Sequence, residues 1–308
     1  MKILLTGPHG QIGWELSRCL PRLGQVIPVD RTRLDLADAH SIRATLRAVR
    51  PDLIVNAAGY TAVDRAESQA PLSEAVNATG SGILAEEAAE IGAALISYST
   101  DYVFDGAKRT PYGPEDEPHP LNTYGRTKLE GERRILASGA SAIVLRTSWV
   151  YSMRRSNFVL TMLRMMAVKP EIRVVDDQYG CPSWSRRIAE GTAKIIERGL
   201  TTDAAGRVTF GEQGGTYHLA CTGVTTWCEL ARRVFELVRA DPMPRVVPIT
   251  SGEYPTAAKR PPYSALDCAI TQATFGVDLG PWDEALEAAL KDDAAVAAAW
   301  SGQRKEES

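Results

Sequence analysis

The sequence lacks several things that would otherwise fix its class. Basic residues are not in excess: 35 Lys and Arg stand against 38 Asp and Glu, a formal net charge of −3. A phosphate backbone demands a positive field, so nucleic acid is excluded as a main partner. The five cysteines, at 19, 181, 221, 228 and 268, form no Cys-x-x-Cys pair, so neither a disulfide framework nor a zinc site is expected. The four histidines, 9, 40, 119 and 218, have no ligand spacing either. No window holds the roughly 18 consecutive apolar residues that a membrane span needs. The opening MKILLTGPHG is too short an apolar run for a secretion signal, and the expected address is cytoplasmic. There is no internal repeat and no low-complexity linker.

What is present fits a folded globular chain. Its 308 residues are 44% apolar and 24% charged, enough for about two domains. Short apolar runs recur at Ile3-Leu4-Leu5, Val26 to Val29, Leu53-Ile54-Val55, Ala94 to Ser97 and Ala142 to Leu145, and read as buried parallel strands. Ile42, Leu46 and Val49 share one helix face behind an Asp38 cap and before Pro51. Strand and helix alternating over residues 1–150 predict a doubly wound, Rossmann-type α/β sheet, completed by a later segment near 172–200. Residues 151–302 read mainly as a smaller α/β substrate lobe, with helices at 157–167, 185–198 and 227–239, a strand at 172–175 and prolines clustered from 242 to 262. An Ala-rich helix from Trp282 to Trp300 and a frayed tail at 303–308 close the chain.

Strand one runs into Thr6-Gly7-Pro8-His9-Gly10-Gln11-Ile12-Gly13 directly before a helix that aligns Ile12, Leu16 and Leu20. Small residues there let backbone N–H groups and the positive helix end approach a pyrophosphate, which points to a dinucleotide. Asp30 ends strand two, where a carboxylate accepts from the adenine ribose and favours NADH. Arg31 and Arg33 follow and suit a 2′-phosphate, so NADPH is not excluded and the cofactor choice stays open. Strand three ends in Asn56-Ala57-Ala58-Gly59-Tyr60, small enough for close backbone approach.

Tyr124 and Lys128 are four residues apart, on one face if helical. A cation beside a phenol brings its pKa of ~10 toward neutrality and makes it a proton donor, while the same lysine can reach the nicotinamide ribose. Thr100, at the end of strand four, can donate to a substrate carbonyl.

Together the glycine turn, Asn56 to Gly59, Asn77, Ser99-Thr100-Asp101, and Tyr124 with Lys128 resemble the extended short-chain dehydrogenase/reductase family. The blocks Ser99 to Phe104, Pro120 to Gly125, Arg146 to Tyr151, Asn157-Phe158 and Asp177 to Gly180 are similar to its branch of dTDP-sugar reductases over about residues 1 to 290. The resemblance implies hydride transfer from NADPH or NADH to the C4 ketone of a dTDP-deoxyhexulose, dTDP-6-deoxy-L-lyxo-4-hexulose, giving dTDP-L-rhamnose. It implies Tyr124 as acid, Lys128 as its partner and Thr100 as holder of the C4 oxygen. By the same motifs Asp101 and Trp149 contact the sugar, and Arg260 meets the diphosphate. Gly7, Gly10, Gln11, Ile12, Gly13, Asp30, Asp35, Leu36, Ala57, Ala58, Gly59, Tyr60 and Thr61 line the cofactor together with Tyr124 and Lys128.

Some members join as dimers through Mg²⁺. Here the helix after Gly-Cys-Pro opens with Ser185-Arg186-Arg187, whose charges repel a cation, so a metal is doubted and a monomer or weak homodimer expected. Cys181 has no assigned role beyond that of a small buried residue. Two alternatives stay open: a regulatory subunit that binds NADP without turnover, similar to that of methionine adenosyltransferase, and another nucleotide-sugar epimerase or dehydratase. Intact Thr100, Tyr124 and Lys128 weigh against the first. The absence of an Asp-Glu pair after Thr100 weighs against elimination chemistry.

Overall fold

A computed structural model describes residues 1–292; the expected tail at 303–308 and the end of the last helix lie outside them. Six parallel strands form the central sheet: β1 (Lys2–Thr6), β2 (Gln25–Val29), β3 (Leu53–Asn56), β4 (Ala94–Thr100), β5 (Ala142–Thr147) and, far down the chain, Gly215–His218. In space the order is Gly215–His218, β5, β4, β3, β1, β2. The order reverses between β1 and β3, which opens a crevice at their carboxyl ends. The apolar runs are continuous because both faces are covered. Ile3, Leu5, Val55, Ile96 and Leu145 enter one core, and Leu4, Ile54, Leu95 and Val144 enter the other.

Helix α1 (Gln11–Cys19) packs its Leu16 on the first face, with Ile12 partly buried and Leu20 fully buried just beyond its end. Helices α2 (Ala39–Val49) and α3 (Gly80–Ile91) cover the second. The Asp38 carboxylate caps α2 by accepting from the His40 N–H, as the sequence indicates. Helix α4 (Thr123–Ala137) starts behind Asn122, whose side chain accepts from the Gly125 N–H. It lays Tyr124, Lys128 and Glu132 along one buried face.

One expectation is corrected. The strand near 172–175 does not complete the main sheet; Glu171–Val175 pairs instead with Arg245–Ile249 in the second lobe. The sixth sheet position goes to Gly215–His218 beside β5, whose four residues lack the apolar run that marks the other strands. The helix predicted at 185–198 is present as Ser185–Gly199, packed against α1. The second lobe adds α5 (Phe158–Met166), capped by Asn157, then the 185–199 helix as α6, α7 (Trp227–Leu237) and α8 (Trp282–Asp292). Among the described residues no helix is long and apolar enough to cross a membrane.

A buried ion pair fixes α4 to the sheet. The Arg146 guanidinium of β5 donates to Glu132 at 2.7 and 3.0 Å, and its Nη1 reaches the Pro114 carbonyl at 3.4 Å; both side chains are 5% exposed or less. Glu132→Ala leaves that guanidinium buried without its counter-charge, which costs about 3–5 kcal/mol. The urea midpoint is expected to fall accordingly with the slope unchanged; a loss below about 1 kcal/mol would show that the pair carries little of the fold.

Candidate active site

Three strand ends and the start of α4 converge at the crevice. At its base the glycine turn is built by close backbone approach. Gly7 has φ +64°, and a β-carbon there would stand 2.7 Å from the Ala57 carbonyl oxygen; one on Gly13 would stand 2.0 Å from the Gly7 carbonyl oxygen. Gly10 opens α1, and no side chain caps its first N–H groups. Those free donors, a cradle that a β-carbon would fill and the positive end of the helix fit a dinucleotide pyrophosphate. The Thr6 hydroxyl donates to Asn56 Oδ1 at 2.6 Å, and Asn56 Nδ2 donates to the Ser97 hydroxyl. This ties β1, β3 and β4 together under the turn.

The other residues expected along the cofactor sit around this floor. Asp30 Oδ1 accepts from the Thr32 N–H and hydroxyl, which hold its carboxyl below the usual range. Its other oxygen lies 3.8 Å from His9 Nε2. Arg31 is engaged by Asp35 at 3.0 Å. Leu36 is buried. The Tyr60 N–H donates to Asn77 Oδ1, and Asn77 Nδ2 returns a bond to the Tyr60 carbonyl. Asn77 lies in a π turn, Ala75–Thr79, just before α3. Gln11 faces the second lobe, accepting from Ser152 and Asn157.

At the end of β4 burial raises the Tyr124 phenol to about 12, against the downward pull of the neighbouring Thr100 hydroxyl. The expected depression by Lys128 is therefore absent. The Lys128 ammonium donates to the Tyr98 carbonyl at 2.6 Å, and burial brings its own pKa down to about 8, so it is still charged at neutral pH. A β-carbon on Gly59 would lie 4.0 Å from its Nζ, which puts the ammonium beside the turn after β3.

Asp101, expected at the sugar, is buried beneath the hydroxyls. It accepts from Ser264 at 2.6 Å, Ser148 at 3.0 Å and Thr100 at 3.2 Å. Trp149, with φ +44°, stacks on Trp227 with ring centroids 3.5 Å apart, so one indole face is already covered. Arg260 is likewise engaged: it pairs with Asp64 at 2.8 Å, and Asp64 also accepts from the Ala258 N–H. Cys181 is buried, its thiol pushed up to about 12 by desolvation. Among the described residues no group of three His, Cys, Asp or Glu side chains could hold a metal; Arg186 donates to Glu15 at 3.2 Å.

Four residues of this network escaped the sequence reading. Ser148 lies inside the Arg-Thr-Ser-Trp block and was within reach of it. Ser264 meets Asp101 across 163 positions of chain, Asp64 meets Arg260 across 196, and Trp227 had read only as the start of a helix.

A family model described as the RmlD substrate binding domain matches residues 1–295. A dTDP-4-dehydrorhamnose reductase of Burkholderia thailandensis is 40% identical over 95% of this chain and 99% of its own length. The protein of the same name from Escherichia coli K12 is 39% identical over 95% and 98%. Among solved structures, the dTDP-4-dehydrorhamnose reductase of Bacillus anthracis in complex with NADP superposes with a TM-score of 0.86 at 31% identity, covering 94% of this chain and 99% of that one.

Burial raises the Asp101 carboxyl to about 6, against the pull of its three hydroxyl donors. A carboxyl raised in the folded state adds stability that is fully present below about pH 4 and is lost as the pH climbs through 6, at most about 3 kcal/mol. Asp101→Asn should therefore gain stability relative to the parent between pH 4 and 7 in urea titrations. A constant difference across that window would mean an ordinary carboxylate at 101.

Proposed function

Because this chain belongs to the family of dTDP-4-dehydrorhamnose reductases, we propose that its crevice performs that reduction with Thr100, Tyr124 and Lys128. The enzyme is an NAD(P)H-dependent oxidoreductase that converts the C4 ketone of dTDP-6-deoxy-L-lyxo-4-hexulose to the alcohol of dTDP-L-rhamnose, the reduction step of dTDP-rhamnose biosynthesis. The observation that carries the assignment of roles is the buried Lys128 ammonium held on the Tyr98 carbonyl at 2.6 Å, one helical turn from the buried Tyr124 phenol.

When bound, a reduced nicotinamide would supply the hydride. To hold the ketone oxygen beside Tyr124, the Thr100 hydroxyl turns its single proton from Asp101 onto that oxygen, and the π-electron pair of the carbonyl moves onto the oxygen as the new C–H bond forms. Tyr124 then releases its proton to the oxygen, breaking its own O–H bond. A phenol raised to about 12 keeps that proton at neutral pH until a base as strong as an alkoxide develops beside it. Lys128 has two donors left after the Tyr98 bond; on this reading one serves the nicotinamide ribose, and the charge steadies the tyrosinate left behind. The glycine turn and Asp30 hold the pyrophosphate and the adenine ribose, while Trp149, between Trp227 and the Gly180 backbone, stands at the deoxysugar. Arg260 serves the diphosphate only if it shares itself with Asp64.

The decisive test follows the 340 nm absorbance of NADPH, and separately NADH, with enzymatically made ketosugar and chelator present. Tyr124→Phe should lower kcat by roughly 10²–10⁴ with cofactor affinity retained, the size of a general-acid contribution; a near-parental rate would remove Tyr124 from that role. Lys128, at about 8, should give kcat/KM an alkaline limb near pH 8, because above it the cation is lost. In Lys128→Arg the limb should move upward, and a limb that stays put belongs to another group.

A further inference from the structure

The segment from Val150 to Asn157 takes no part in the proton chemistry, yet it is fastened to the glycine turn at several points. Gln11 Nε2 donates to the Val150 carbonyl at 3.4 Å, and Gln11 Oε1 accepts from Ser152 at 3.0 Å and Asn157 at 3.1 Å. Arg155, in the left-handed region at φ +60°, donates from Nε to the His9 carbonyl at 2.6 Å. The Arg154 guanidinium lies 3.7 Å above the centre of the Trp14 ring.

These contacts gather two permanent positive charges beside the turn. His9, Trp14, Arg154 and Arg155 line an open cavity of about 390 Å³. Both arginines are exposed, and among the described residues no carboxylate lies within ion-pair distance of either. Many other arginines of this chain have such a partner, Arg31, Arg43, Arg47, Arg134 and Arg146 among them. The Nε bond of Arg155 leaves the two terminal nitrogens of its fork free, and that fork matches two oxygens of a phosphate. His9, which holds Arg155, is also the residue that faces Asp30, so the cavity lies between the pyrophosphate and ribose ends of the dinucleotide site.

We propose that Arg154 and Arg155 form a clamp that the second lobe lays over a phosphate of the dinucleotide, with Arg155 gripping the anion and Trp14 holding Arg154 beside it. The inference rests on the cofactor site of the reductase reading. Two phosphates carry this chemistry, the pyrophosphate shared by both cofactors and the 2′-phosphate of NADPH alone.

Calorimetric titration of the full chain with NADPH and with NADH, without sugar, separates these cases and needs no turnover. Arg155→Ala is expected to weaken binding roughly 5- to 50-fold, the range for loss of a partly solvated charge-assisted contact, and R154A/R155A to weaken it further and flatten its salt dependence. Equal losses for both cofactors place the clamp on the pyrophosphate; a loss confined to NADPH places it on the 2′-phosphate. Arg155→Lys should recover only part of the affinity. Both side chains are exposed, so the thermal midpoint should hold and exclude a folding defect. Affinities within twofold of the parent for both cofactors in R154A/R155A overturn the clamp and leave the reductase reading intact. A parent chain that binds neither cofactor overturns the reading itself, and the clamp with it.

Discussion

One row of polar groups, buried along a single face of α4, holds the site together. Tyr124, Lys128 and Glu132 follow one another at four-residue intervals, and each is inaccessible to bulk water or nearly so. A buried ammonium and a buried phenol are tolerable only where each has a fixed partner. Lys128 has the Tyr98 carbonyl and Glu132 has the fork of Arg146, while the Thr100 hydroxyl neighbours Tyr124. The carboxylate one turn along also favours the charged form of Lys128, which burial alone would bring down further. The ion pair at the far end is thus more than a bolt between helix and sheet. It sets the electrostatic surroundings of the cation at the near end.

Around this row the later part of the chain meets the first through side chains as well as through backbone, which pairs Gly215–His218 with β5 and Tyr112 with Ala265 and Asp267. Asn122, the cap of α4, donates to the Lys259 carbonyl at 2.8 Å, and Arg260 closes on Asp64 beyond β3. Asp101 is held by Ser264 from the second lobe as well as Ser148 at the end of β5. The same carboxylate orients Thr100, so the hydroxyl offered to the substrate depends on a residue contributed from the far part of the chain. Glu67 accepts from the Thr123 N–H and hydroxyl, which steadies the first turn of α4 from the side of β3.

How much of this could be read beforehand followed the range of each interaction. β1, β3, β4 and β5 are buried on both faces and so appear as apolar runs, and β2 at the far margin still carries Val26, Ile27 and Val29. The caps at Asp38 and the glycine turn are local, and the four-residue step from Tyr124 to Lys128 needs only a helix. Gly215–His218 has no such mark: its sequence Gly-Thr-Tyr-His carries no aliphatic residue, and it joins the sheet through its backbone pairing with β5. The fate of Arg260 and Asp101 was hidden for a different reason: their partners Asp64 and Ser264 are far away in the chain. Trp149 was singled out, but its stacking on Trp227 depends on how the second lobe folds back. The tyrosine's pKa was misjudged because spacing fixes distance and not solvation, and here burial raises it with the Asp101 charge pushing the same way.

The late arrival of the sixth strand sets a timetable for biosynthesis. β5 ends at Thr147, but the partner that covers its outer side begins only at Gly215. At the usual pace of elongation, that interval lasts on the order of ten seconds. Throughout it a nascent chain carries a nearly finished nucleotide-binding half with one unpaired row of backbone N–H and C=O groups, the feature that invites pairing with a neighbouring polypeptide on the same message. The intervening lobe therefore has to collapse promptly enough to deliver Gly215–His218 before another chain does.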